Sequence, residues 1–171
     1  MHSRIYELKD SRDDENELTD DSFETSFYDR YGIDYISGIS EGSGEYKESI
    51  DWLASAYKDH ITFDETENSI IFSDIPGLME DKYNAFKAAL EKLKECSLED
   101  FAGCEKHSGN ILEDPDASYL MWQVRDAWCS DGEFYIYHNG YARPLFTFLR
   151  DLSKEQKTQK FYIGSVLDYH Y

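Results

Sequence analysis

His60-Ile61-Thr62-Phe63-Asp64-Glu65-Thr66-Glu67-Asn68-Ser69-Ile70-Ile71-Phe72-Ser73 holds two short runs rich in β-branched and aromatic residues around the polar quartet Glu65 to Asn68. That is the pattern of two antiparallel strands and their turn. Helical periodicity stands on both sides of it. Upstream, roughly Glu45 to Lys58 places Ile50, Leu53, Ala54 and Tyr57 at i, i+3, i+4 and i+7, the spacing of a buried stripe. Downstream, Ile75-Pro76-Gly77 turns into a helix running to about Glu95, with Met79, Tyr83, Phe86, Leu90 and Leu93 expected inward. Its outer face mixes Lys82, Lys87, Lys92 and Lys94 with Glu91 and Glu95. A hairpin between two helices differs from the regular strand–helix–strand units of a parallel sheet, and it sets the fold class as α+β. The expectation is a mixed or antiparallel sheet with hairpins, packed against about four to five helices.

The rest of the chain extends this pattern. Glu133 to His138 reads as a strand, and Asn139-Gly140 is the dipeptide that two-residue hairpin turns favour. Pro144 then either caps a helix carrying Leu145, Phe148, Leu149 and Leu152, the favoured reading, or interrupts an edge strand, and Lys160 to Tyr169 supplies a last strand. Towards the N-terminus, Ile5 to Leu8 is a short strand, and Asp10 to Asp21 a polar loop with seven acids. A helix from about Ser22 to Tyr31 aligns Phe23, Phe27 and Tyr31, with Gly32 as its stop. Asp34 to Ile39 is a strand and Glu41 to Gly44 a turn. Ser97-Leu98-Glu99-Asp100 has the form of a capping box, residues 104–114 read as loop, and Asp114-Pro115 opens a helix to about Trp128.

At 171 residues, 40% hydrophobic and 16% aromatic, the chain is expected to fold as a single compact domain over 1–171. No apolar run reaches the ~18 residues needed to span a bilayer, and the first residues contain no apolar signal core. Cys96, Cys104 and Cys129 make an odd, sparse set, read as reduced thiols of a cytoplasmic protein.

Charge carries the functional information. The net charge is −19, from 36 acids against 17 bases. Residues 1–60 hold 16 acids and 6 bases, residues 61–120 hold 14 and 5, and residues 121–171 hold 6 and 6 with 12 aromatics. The chain is thus acidic over 1–120, and neutral and aromatic-rich over 121–171.

Motifs of chemistry are weak by comparison. Ser69 to Leu78 resembles the strand-D-x-P-G element of GTPases, yet the GxxxxGK[ST] phosphate loop which that element requires is missing upstream. Glu80-Asp81-Lys82 has the E-x-K spacing of metal-dependent nucleases but stands at the start of a helix rather than on a strand. Asp64 to Asn68 suggests a calcium loop, but Ser69 and Ile75 occupy the positions where the EF-hand needs Gly and Glu. Cys96, Cys104 and His107 lack a clear fourth ligand for zinc. No G-x-S-x-G elbow is present, and His60, His107, His138 and His170 have no partner that sequence can assign. No catalytic residue, metal ligand or cofactor is therefore assigned.

At ~100° per residue, Glu45, Glu48 and Asp59 share one ~60° sector of the second helix with Trp52, opposite the apolar stripe. Carboxylates at i and i+3 rise ~4.5 Å apart, close to the ~3.4 Å axial repeat of phosphates along one nucleic-acid strand. The leading reading is an acidic protein that binds and inhibits a basic nucleic-acid-binding protein or nuclease by presenting a DNA- or RNA-like surface. Anti-CRISPR, anti-restriction and nuclease-immunity proteins are of this kind, and the similarity is one of size and charge alone. Asp20, Asp21, Glu24, Glu41, Glu45, Glu48, Asp51, Trp52 and Asp59 are the candidate partner-binding residues, with no direct binding to nucleic acid or membrane. Two alternatives stand beside it. One is a cytosolic protein–protein interaction domain using its aromatic C-terminal sheet, in which acidity serves only solubility. The other is an enzyme of unrecognised fold.

Overall fold

The computed structural model describes residues 2–14, 17–102, 116–128, 134–154 and 159–171. The chain divides into two units, residues 1–75 with 132–171, and residues 76–131. In chain order the elements are β1 (His2–Lys9), a 3-10 turn (Asp20–Ser22), α1 (Thr25–Tyr31), β2 (Tyr35–Ile39), α2 (Gly44–Ala56), β3 (Ile61–Asp64), β4 (Ser69–Phe72), α3 (Ile75–Glu95), the one-turn α4 (Leu98–Phe101), α5 (Ala117–Trp128), β5 (Phe134–His138), β6 (Tyr141–Pro144), α6 (Leu145–Ser153) and β7 (Gln159–His170).

The first unit is built on one mixed sheet. Its order is β3-β4-β7-β1-β5-β6, and β2 pairs with β7 as well. All pairings are antiparallel except β1 with β5. Because β7 is twelve residues long, one of its edges serves two partners, β4 along Gln159–Tyr162 and β2 along Val166–His170. Strand alternation then sorts the core. Tyr135 on β5 points to α1, meeting the rings of Phe27 and Tyr31 at 5.7 and 5.0 Å. Its neighbour Phe134 points the other way and meets Trp52 of α2 at 4.8 Å. On that second face the Tyr6 hydroxyl donates to the Ser49 carbonyl of α2 at 2.6 Å, while Phe148 of α6 packs against Phe72 and Phe161. Helix α1 therefore covers one face of the sheet, and α2 and α6 the other.

Local departures from the sequence reading have physical causes. Only Thr25–Tyr31 is helical in the first segment, because the 3-10 turn closes early on the Thr19 and Ser22 side chains; the Phe23 ring still packs, tilted, on Phe27 at 4.8 Å. Helix α2 stops at Ala56, and the Tyr57 carbonyl accepts from the His60 and Ile61 amides to turn the chain into β3. The Asn139-Gly140 pair has φ of 52° and 82°, the left-handed pair that a two-residue hairpin needs. Pro144 does two jobs, ending the edge strand β6 and serving as N-cap of α6. Asp64 Oδ1 accepts from the Thr66 and Glu67 amides, so this carboxylate closes the β3–β4 turn.

The second unit consists of helices. In α3 the buried positions include Leu78 and Ala89, whereas Tyr83, expected inward, is 57% exposed, its ring 5.5 Å from the Lys87 ammonium. Tyr83 sits about 100° around the helix from the position that would continue the Ile75–Leu78 row. The Ser97–Asp100 capping box forms with bonds of 2.7 and 3.1 Å. Helix α5 is capped by Asp116, whose Oδ1 accepts from the Tyr119 amide at 2.7 Å. Asp114-Pro115, Cys104, His107, Cys129 and the loop read at 104–114 lie outside the described residues. Among the described residues, no helix is long and apolar enough to cross a membrane.

Sequence patterning did not reveal one further feature of the sheet. Between Tyr6↔Val166 and Leu8↔Ile163 the register shifts, leaving one extra residue on β7. Into this bulge folds Glu7, only 4% exposed, whose Oε2 accepts from the Ser165 amide at 2.9 Å and lies 3.7 Å from Lys9 Nζ. A Cβ on Gly164 would collide with Glu7 Oε2 and stand 2.7 Å from Lys9 Cε. Gly164→Ala is expected to lower stability by about 1–3 kcal/mol, the cost of pushing a buried carboxylate off its donor. Urea denaturation reads this directly, and an unchanged midpoint would mean that Glu7 and Lys9 swing aside freely.

Candidate functional site

All nine candidate partner-binding residues are exposed. The structure nevertheless sorts them into separate groups. Asp20, Asp21 and Glu24 precede α1 on one side of the sheet, where burial first and then the charges of Asp20 and Asp21 hold the Tyr28 hydroxyl above its ordinary range. Glu45, Glu48, Asp51 and Trp52 belong to α2 on the other side, with Glu41 just before the helix. Asp59 lies beyond the end of α2, in the turn to β3, and so is not part of the helical row.

Helix α2 forms where it does for readable reasons. The Ser43 side chain accepts from the Tyr46 amide, Glu45 stands favourably in the first turn, and Tyr46, Ser49, Ile50 and Leu53 are buried. Glu48 and Asp51 fall within ~30° of the direction opposite that buried stripe, so the carboxylates project fully away from the sheet. Internal neutralisation is slight. Lys47, the one cation of α2, is engaged at 2.7 Å by Glu65, whose hydrogen bond and charge raise its pKa. Glu45 lies 3.4 Å from the Arg4 guanidinium. Among the described residues, Glu41, Glu48, Asp51 and Asp59 form no ion pair.

Trp52 stands at the border of this surface, 44% exposed. Long helical side chains lean back over the preceding turn. The indole accordingly reaches Arg4, whose guanidinium carbon lies over the ring 5.9 Å from its centroid. Arg4 is itself fixed, donating from Nε to Ser49 Oγ at 2.9 Å and from Nη1 to the Ser3 carbonyl at 3.2 Å and to Asp168.

The fold also supplies histidine partners that sequence could not assign. His2 bonds Asp168 at 2.8 Å, His138 bonds Asp10 at 3.1 Å and His170 bonds Asp34 at 2.7 Å. In each pair the residues are far apart in the chain, which is why no spacing announced them. Around Lys9 the surface carries two depressions of about 520 and 510 Å³ that share Lys9 and Glu17. In the aromatic C-terminal sheet Tyr135 is 3% exposed beneath α1 and Tyr137 is half-buried against Phe23, while Tyr141 on β6 is exposed.

Comparison with known protein families, with curated proteins and with solved structures finds no match to this chain.

Proposed function

We propose that this protein is an acidic inhibitor that offers the outer face of α2 to a cationic groove of a nucleic-acid-binding protein or nuclease. One observation carries the reading: Glu48 and Asp51 project from a helix away from its buried stripe, neither within ion-pair distance of a described cation although Asp51 feels the charge of Lys47, beside the half-exposed Trp52. A helix holds such carboxylates at fixed spacing, so a partner that has evolved to bind phosphates meets a preorganised anionic row with little entropy left to lose. Steering by a net charge of −19 speeds encounter with a basic surface and makes it sensitive to salt. In the aromatic C-terminal sheet Tyr135 is buried in the core, so an interface there would rest on exposed side chains such as Tyr141 on the edge strand β6.

The test is DNA cleavage by a panel of CRISPR effector nucleases, restriction enzymes and toxin nuclease domains, with and without the protein. Inhibition of at least one panel member is expected, relieved by excess duplex DNA and weakened about tenfold or more between low and molar salt. The Glu45→Lys, Glu48→Lys, Asp51→Lys triple variant is expected to lose inhibition at least a hundredfold while keeping its helical circular dichroism, since all three side chains are exposed. Inhibition unaffected by this reversal, or by molar salt, would remove α2 as the binding surface.

A further inference from the structure

We infer that Trp52 is the seat of an arginine side chain from the basic partner, a refinement that rests on the α2 reading above and adds a specific recognition chemistry to it. A row of carboxylates attracts any polycation; an indole beside the row does not. Trp is the aromatic ring that binds cations best through its π face. Guanidinium, being planar and weakly hydrated, stacks on such a ring and donates in a fork to a carboxylate at the same time, whereas a lysine ammonium remains a hydrated point charge.

The surroundings of Trp52 match those requirements. Glu48 lies one turn back at i−4, placing its Cβ about 5–6 Å from that of Trp52. Ser55 and Ala56, one turn on, are small and exposed, so nothing bulky on α2 closes that approach to the ring. The ring is held rather than free, in a T-shaped contact with Phe134 at 4.8 Å and with the Arg4 guanidinium carbon 5.9 Å from its centroid, and 44% of the residue is still exposed. Arg4 shows the same chemistry within the molecule, a guanidinium over the indole with Glu45 3.4 Å away. The exposed part of the indole, with Glu48 one turn back on the same helix, is where a second guanidinium would seat from outside. Trp and Arg are also the residues most enriched among interface positions that dominate binding energy.

Titration with nona-arginine and nona-lysine peptides at low ionic strength, followed by calorimetry, tests this. The wild-type protein is expected to bind nona-arginine about three- to fivefold more tightly than nona-lysine. Trp52→Ala is expected to bring the two affinities together at the nona-lysine value, and Trp52→Phe to keep part of the difference. Because Trp52 packs on Phe134, circular dichroism and urea midpoints accompany both variants, and Trp52→Phe decides if Trp52→Ala fails to fold. An arginine preference that survives both substitutions unchanged overturns the assignment while leaving the acidic row intact. Equal binding of both peptides by wild type and by the charge-reversed triple variant overturns the α2 reading itself, and the assignment with it.

Discussion

Asp168→Ala is expected to lower the unfolding free energy by about 3 kcal/mol, the cost typical of stranding one member of a buried ion pair. Asp168 is 9% exposed and pairs in register with Arg4 across β7 and β1. Its carboxylate meets the Arg4 guanidinium through one oxygen and His2 Nδ1 through the other. Among the described residues the one other acid in reach of Arg4 is Glu45, whose exposed carboxylate at 3.4 Å is screened by water. Removing Asp168 therefore leaves a largely buried cation with the neutral acceptors Ser49 Oγ and the Ser3 carbonyl and the water-screened Glu45 carboxylate. The variant Arg4→Met with Asp168→Leu is expected to recover most of the loss, since both desolvation costs vanish together with their attraction. Urea denaturation of the three variants measures this. A midpoint for Asp168→Ala equal to that of wild type would show that solvent reaches Arg4 and that the pair contributes nothing.

Above pH 10 the protein is expected to lose stability at about 2.7 kcal/mol per pH unit, from two tyrosines alone. Burial dominates the shift of both Tyr6 and Tyr135 and raises their hydroxyls far above the ordinary value; for Tyr6 the nearby Arg4 opposes it in part. Raised folded pKa values mean that the native state keeps these protons where the unfolded chain, titrating near 10, releases them. Their contribution is thus complete below pH 10 and is lost as pH rises from there towards the folded values. Each group supplies about 1.4 kcal/mol per unit, because each unfolded molecule releases one more proton than the folded one. Tyr46, also raised chiefly by burial, steepens the fall. Urea midpoints across pH 9 to 12, with tyrosinate absorbance followed in parallel, would show the slope, and Tyr6→Phe should flatten it by about half. A protein whose tyrosines all ionise near pH 10 with the fold intact would contradict this account.

Much of the secondary structure was legible because its causes are local. The β-branched and aromatic runs of β3 and β4, the Asn139-Gly140 turn, the Ser97–Asp100 box and the apolar stripe of α2 all act over a few residues. Helix ends were less so. α2 ends before Asp59 because the chain must turn to bring β3 beside β4, a demand the helical pattern cannot contain. The candidate surface was half readable. Periodicity placed Glu45, Glu48 and Trp52 on the outer side of α2, but it could not tell that Asp20, Asp21 and Glu24 stand on the opposite face of the sheet. Nor could it show that Lys47 is spent on Glu65.

Sequence alone determined that this chain is strongly acidic, that its excess negative charge lies in the first 120 residues, and that it alternates hairpins with amphipathic helices, since composition and short-range periodicity need no tertiary context. Tertiary structure decided what those acids can do. Strand order brings Asp168 to Arg4 and His2, the β7 bulge buries Glu7 against Ser165, and the placement of α1 and α2 on opposite faces divides the negative surface in two. These are contacts between residues more than a hundred positions apart, and only the closing of the sheet fixes which carboxylates are spent inside and which still face the solvent.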